Sequence, residues 1–312
     1  MRVSNGWWIL SIAMLVGPAV AEDASTAPVK VFILAGQSNM EGHGVVAMNP
    51  QRNGGRGSLE FLVQDAASSA RFAHLKGAEG EWAVRDDVWI WYLGRKGPLT
   101  VGYGAREDRI GPELGFGHVV GDACNEQVLL IKIAWGGKSL AVDFRPPSAG
   151  GEVGPYYREL FEHVDAVLGD LKTHFPEYDG RGYEIAGFGW HQGWNDRVNQ
   201  AFNDAYEQNM ANFIRDVRKE LGIEKLPFVI AETGMSGHDE KHPRALSLMR
   251  AQAAVAEREE FRGNVAFVGT KDFFRPAEVS PSGQAYHWNT NAETYYLIGA
   301  AMGKAMGRLK GG

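Results

Sequence analysis

Five short runs of apolar, largely β-branched residues punctuate the chain, at 29–35, 128–134, 183–188, 227–231 and 265–268. Runs this short, with little alternation of polar and apolar positions, predict parallel strands buried on both faces. Amphipathic stretches separate them. The clearest spans 156–175, where Leu160, Phe161, Val164, Val167, Leu168, Leu171 and Phe175 recur at helical spacing. Further helices are predicted over 112–124, 201–221, 243–260 and 292–309. Strand alternating with helix implies right-handed crossovers. The expected fold is α/β, a three-layer α/β/α sandwich around a doubly wound, five-stranded parallel sheet of the flavodoxin-like kind. Residues 42–110 break the rhythm with many glycines and arginines. They also hold Trp82, Trp89, Trp91, Tyr92 and Tyr103, which need surfaces to pack on, so an ordered insertion with short strands of its own is expected.

The amino terminus changes the picture of where the chain works. Arg2, the apolar run from Trp7 to Val16 and the small residues Ala19-Val20-Ala21 have the order of an export signal over residues 1–21. The run is well short of the roughly 20 residues that span a bilayer, and Gly17-Pro18 interrupts it. A secreted or periplasmic chain is expected, as a single domain over 22–312 with no stable membrane insertion after cleavage. With 32 basic and 38 acidic residues and a net charge of −6, nucleic acid is not an expected partner. The single cysteine, Cys124, sits in an apolar stretch and reads as a small buried hydrophobe, so no internal disulfide is expected.

In open α/β sheets, ligands bind where loops leave the carboxyl ends of the strands. The unusual residues of this sequence follow the strands. Gly36-Gln37-Ser38-Asn39-Met40 follows the first and Trp135-Gly136-Gly137-Lys138 the second. Trp190-His191-Gln192-Gly193-Trp194-Asn195-Asp196 follows the third, and Tyr286-His287-Trp288-Asn289 comes after the fifth. Ser38, in a tight strand-to-helix turn, is a candidate nucleophile, although a serine there also serves as an ordinary cap. Gly136 and Gly137 offer backbone N–H donors, and Gln192 and Asn195 offer side-chain amides. His287 is selected by position as the base, since it lies between the last strand and the last helix; His191 is its rival.

These four blocks resemble the SGNH-hydrolase superfamily, and within it the sialate O-acetylesterase and acetylxylan esterase branch, carbohydrate esterase family six. Gly36-Gln37-Ser38-Asn39-Met40 resembles the nucleophile block, Trp135-Gly136-Gly137 the block that carries an oxyanion glycine, and Trp190-His191-Gln192-Gly193 the third block. The resemblance implies Ser38 as nucleophile and His287 as base. Two departures stand out. The third block continues Trp194-Asn195-Asp196, like the wider superfamily's Gly-x-Asn-Asp pattern, so either Gln192 or Asn195 is the oxyanion side chain, with Gln192 preferred. Gln284 stands three residues before His287, where the wider family has its triad aspartate. Asp272 or another acid from a different loop, a backbone carbonyl, or Gln284 itself is then expected to hold the ring.

The chemistry expected is transfer of an acyl group to water through an acyl-serine. It requires no metal or other cofactor. His238 and His242, flanked by Gly237 and Pro243, suit a loop better than a zinc-bearing helix. An acetylated carbohydrate, a sialic acid or polysaccharide O-acetyl ester, is the expected substrate. Trp194 and Trp288 adjoin the site turns, where indole faces would meet sugar rings, and Gln37 and Asn39 are expected beside them as substrate-binding residues. A carbohydrate-binding protein that has lost turnover, or a hydrolase of aryl or lipid esters, are the alternatives.

Overall fold

The computed structural model describes residue 1 and residues 27–310; the export segment expected over 1–21 lies, apart from Met1, outside the described residues. Among the described residues, nine strands occur in chain order: β1 Val29–Gly36, β2 Gly44–Val45, β3 Arg85–Tyr92, β4 Arg95–Leu99, β5 Arg109–Ile110, β6 Val128–Ala134, β7 Tyr183–His191, β8 Phe228–Ala231 and β9 Val265–Val268. Seven of them form one sheet in the order β4-β3-β6-β1-β7-β8-β9, parallel throughout except where β4 returns against β3. The α-helices are α1 Ser38–Glu41, α2 Leu59–Gln64, α3 Ser69–Phe72, α4 Pro112–Ala123, α5 Pro155–Gly169, α6 Leu171–His174, α7 Trp194–Arg197, α8 Gln200–Glu220, α9 Pro243–Glu257 and α10 Ala292–Lys310.

The layers follow from the period-two geometry of β1. Val29, Val31, Ile33 and Ala35 enter one core with Leu160 and Val164 of α5, Phe213 and Ile214 of α8, and Leu248 of α9. Phe32 and Leu34 enter the other with Leu114 and Phe116 of α4 and Tyr295, Ile298 and Met302 of α10. Both faces of β1 are therefore dry, which is why its sequence shows no polar alternation. Helices α4 and α10 touch backbone to backbone. A Cβ on Gly115 would collide with the Tyr296 carbonyl, and one on Gly299 with that of Pro112.

The five expected strands all form, and the sheet is wider than they make it. The long insertion supplies β3, which pairs in parallel with β6 and buries Trp89 and Trp91, and β4, which closes that margin as a hairpin. It also supplies the two-stranded ribbon of β2 and β5, with Gly44 opposite Ile110. The stretch read as one helix over 156–175 is two, because Asp170 leaves helical geometry (φ −143°, ψ 53°) and its side chain caps α6 at Thr173 N–H. Among the described residues no helix is long and apolar enough to cross a membrane.

Candidate active site

Strands β1, β6 and β7 end level: Gly36 is in register with Ala134 on one side and His191 on the other. Their three loops therefore leave side by side. Gly36 (φ +156°) passes so close to β7 that a Cβ there would overlap the His191 carbonyl, and the turn it permits starts α1 at Ser38. Side-chain amides then lace the loops together. Gln37 Oε1 accepts the N–H groups of Gly193 (3.1 Å) and Asn195 (3.3 Å), and its Nε2 donates to Asn195 Oδ1 (3.3 Å). Asn195 Nδ2 donates to the Gly137 carbonyl at 2.7 Å. Gly136 N–H donates to Glu41 Oε1 of α1 at 3.0 Å. Asn39 Nδ2 reaches the Tyr286 carbonyl at 3.0 Å, which brings the fourth loop to the same edge.

His287 is presented by an unusual stretch of backbone. Trp288, Asn289 and Thr290 all have φ between +52° and +55°, a left-handed run that costs roughly 1–2 kcal/mol per residue for ordinary side chains. Tertiary contacts hold it. The Trp288 ring is fully buried, Asn289 Nδ2 donates to the Arg275 carbonyl (2.9 Å), and Thr290 Oγ1 bonds Ser282 Oγ (3.0 Å). Strain retained this way is concentrated at sites where a side chain must be aimed. Tyr295 of α10 donates to the His287 carbonyl (3.3 Å) and to Asn39 Oδ1 (2.7 Å), so one phenol ties the His287 turn to the helix that starts at Ser38. Burial pushes the His287 imidazole down to about 4, which leaves it neutral and able to accept a proton at pH 7.

The donors around Ser38 divide into spent and free. Gln192, 1% exposed, gives its amide hydrogens to Asp196 Oδ2 (2.6 Å) and the Lys138 carbonyl (2.9 Å). Asn195 is half-buried and spends one hydrogen on Gly137. The N–H groups of Ser38 and Gly137 have no acceptor among the described residues, whereas that of Gly136 is taken by Glu41. Gln192 is therefore spent inside the protein while Asn195 keeps an amide hydrogen, a difference that only the folded chain reveals.

Other expectations also change. Gln37 and Asn39 are 2% and 3% exposed, and their amides are used inside the protein, where they tie the loops together. Trp288 is core, its indole lining the buried face of the turn it starts. Trp194 is half-buried, with the Arg197 guanidinium 3.7 Å over its ring and the 41% exposed Tyr286 at 5.7 Å. His191 is fully buried, with Nδ1 3.4 Å from the Ala231 carbonyl, and is no rival to His287. Asp272 pairs with His238 at 2.7 Å on the surface and does not reach His287. Among the described residues no carboxylate bonds the His287 ring, and no group of three or more His, Cys, Asp or Glu residues is arranged to hold a metal ion.

Three supporting residues escaped the sequence reading. Asp196 is a buried carboxylate that accepts from Leu140 N–H (2.8 Å), Ala141 N–H (2.9 Å) and Gln192, clamping the second loop to the third. Lys132, in the middle of β6, is fully buried. It bonds Glu113 Oε2 (2.6 Å) and the carbonyls of Glu41 and Tyr103 (2.7 Å each), which fastens the end of α1 to α4 and to the insertion. His43 stacks on His287. The Gly-x-Asn-Asp pattern carried a signal for Asp196; a lone lysine inside an apolar run carried one for Lys132.

Comparison with known proteins bears on the fold and the family. A protein from Arabidopsis thaliana has the same fold, with a TM-score of 0.58 at 16% identity, over 89% of this chain and 98% of its own. A carbohydrate acetylesterase from Xanthomonas citri matches with a TM-score of 0.55 at 12% identity, over 88% of this chain and 55% of its own. NanS matches with a TM-score of 0.51 at 15% identity, over 83% and 87%. No curated protein matches the sequence. The family model described as carbohydrate esterase, sialic acid-specific acetylesterase, matches residues 28–307, a span that holds all four loops. The chain belongs to this family of carbohydrate esterases and is a carboxylic ester hydrolase.

Proposed function

We propose that this protein is an exported serine esterase that removes acetyl groups from a carbohydrate through an acyl-serine intermediate. His287 takes the Ser38 Oγ proton as the oxygen attacks the ester carbonyl. The oxyanion is received by Ser38 N–H, Gly137 N–H and Asn195 Nδ2, and His287 returns the proton to the departing sugar oxygen. Water, deprotonated by the same imidazole, then releases acetate from Ser38. The observation that carries the reading is the set of free donors: three interlocked loops leave two backbone N–H groups and one amide hydrogen unspent beside Ser38. Trp194 and Tyr286 supply an aromatic rim for a sugar ring. Export rests on the order of residues 2–21.

The test is acetate release from a panel of acetylated glycans, with phosphonate labelling alongside. One covalent adduct is expected on Ser38, and Ser38→Ala should lose turnover by at least about 10⁴-fold without loss of fold. Absence of both adduct and turnover in the folded wild type would instead favour a binding protein, the second reading, which is motivated by the missing carboxylate on His287.

A further inference from the structure

The His287 ring lacks a hydrogen-bonded acid, yet one of its faces is covered. His43, two residues past the end of α1, lies parallel to it, with ring centroids 3.8 Å apart and planes 7° apart. Behind His43 stands Glu41. Its Oε2 lies 3.9 Å from His43 Nε2, about 0.7 Å beyond hydrogen-bonding range, while Oε1 holds Gly136 N–H. His43 Nε2 is buried and has no hydrogen-bond partner, so a small rotation toward Glu41 would satisfy it. Ser38 and Glu41 lie on the short helix α1, and His43 follows it after Gly42, so the nucleophile and this stack are neighbours in the chain.

We propose that His43, with Glu41 behind it, is the positioning residue that replaces the triad acid: its ring face fixes the plane of the His287 imidazole and supports the charge gained when Ser38 gives up its proton. This rests on the reading of His287 as the base. A triad aspartate restrains the ring at its edge through Nδ1–H; here restraint comes through the face. The electron-rich face of a neutral ring attracts a cation, and a carboxylate beyond it adds to that attraction. The stack works only while His43 is uncharged. Burial, and then the neighbouring His287, push it down to about 3, with Arg109, Lys132 and Arg106 acting in the same direction and Glu41 as the facing anion. His287 itself faces His43, Tyr286 on its own turn and Tyr295 from α10.

Three variants of the full chain test this: His43→Ala, His43→Phe and Glu41→Gln, each assayed by p-nitrophenyl acetate hydrolysis from pH 3.5 to 9. The wild-type acid limb is expected near pH 4, where His287 titrates. His43→Ala should lower kcat by about 10- to 100-fold with KM little changed, since the ring is no longer held in line. It should also move the limb up toward about 6.5, because water reaches the ring. His43→Phe keeps a flat face, and should recover most of kcat and leave the limb in place. Glu41→Gln keeps an acceptor for Gly136 but loses the charge, and should lower kcat at neutral pH while leaving the limb in place, because burial raises the Glu41 carboxyl and it is protonated where the limb falls. An unchanged limb and kcat in His43→Ala, or a His43→Phe protein as impaired as His43→Ala, overturns the proposal while leaving Ser38 and His287 in their roles. Turnover surviving in His287→Ala would overturn the reading beneath it.

Discussion

Replacing Asp196 by asparagine probes the clamp between the second and third loops. The carboxylate is fully buried and accepts three hydrogen bonds, from Gln192, Leu140 and Ala141. An amide of the same shape keeps one oxygen and turns an NH₂ toward a donor, which costs about 1.5–3 kcal/mol for the lost charge-assisted bond. Burial opposes this, pushing the carboxyl up to about 6 despite its three donors. An unfolded aspartate titrates near 3.9, so between pH ~4 and ~6 the native protein keeps a proton that the unfolded chain has lost. That contribution is present on the acid side and is lost as pH rises through 6. From pH 5 to pH 8 it amounts to about a tenfold change in the folding constant, or about 1.4 kcal/mol. The amide that replaces the carboxyl does not titrate. The wild type's advantage over Asp196→Asn should therefore be about 1.4 kcal/mol larger at pH 5 than at pH 8, a comparison in which all other titrating groups cancel. Urea unfolding followed by tryptophan fluorescence at both pH values measures it. An advantage that grows toward pH 8 would refute the reasoning, because it would mean that the three donors outweigh burial.

Other perturbations separate chemistry from support. Asn195→Ala should cut kcat by about 10²- to 10³-fold, as loss of an oxyanion donor does, with a small change in Tm; Gln192→Ala should chiefly lower Tm, since its amide is spent on Asp196 and Lys138. Asp272→Asn should leave kcat/KM for acetate esters unchanged, because its partner is His238. Lys132→Met strands the Glu113 carboxylate in the core and should cost about 3–5 kcal/mol in urea unfolding; adding Glu113→Gln should recover part of the loss.

How far the sequence could be read depended on whether a residue's environment was local. Strands β1, β6, β7, β8 and β9 were legible because being dry on both faces leaves a continuous apolar run. Strand β3 was not, since Val88 to Tyr92 follow Arg85-Asp86-Asp87 in a glycine-rich insertion, and only pairing with β6 makes a strand of them. Ser38 and His287 were singled out as candidates by their places after strands and by the motif. The choice between Gln192 and Asn195 could not be made from composition, because it turns on which amide Asp196 claims. Trp288 looked like a sugar platform by adjacency, and the left-handed turn put it in the core instead. His43 was one histidine among nine, and nothing local announces a stacking partner 244 positions away.

Strand β4, which borders the sheet, bears on how the protein behaves at high concentration. An open strand edge is a template for other chains, and β-sheet proteins that leave one long and flat tend to assemble through it. This edge is five residues long and contains Arg95, Lys96 and Pro98, the last with no N–H to offer. Arg95 is tied to the Gly102 carbonyl and Lys96 to that of Thr173, which drapes neighbouring backbone beside the strand. The opposite border, β9, has four residues. With a lone cysteine and so no internal disulfide, the fold relies on these blunt margins, and not on covalent cross-links, to keep one molecule's sheet from continuing into the next.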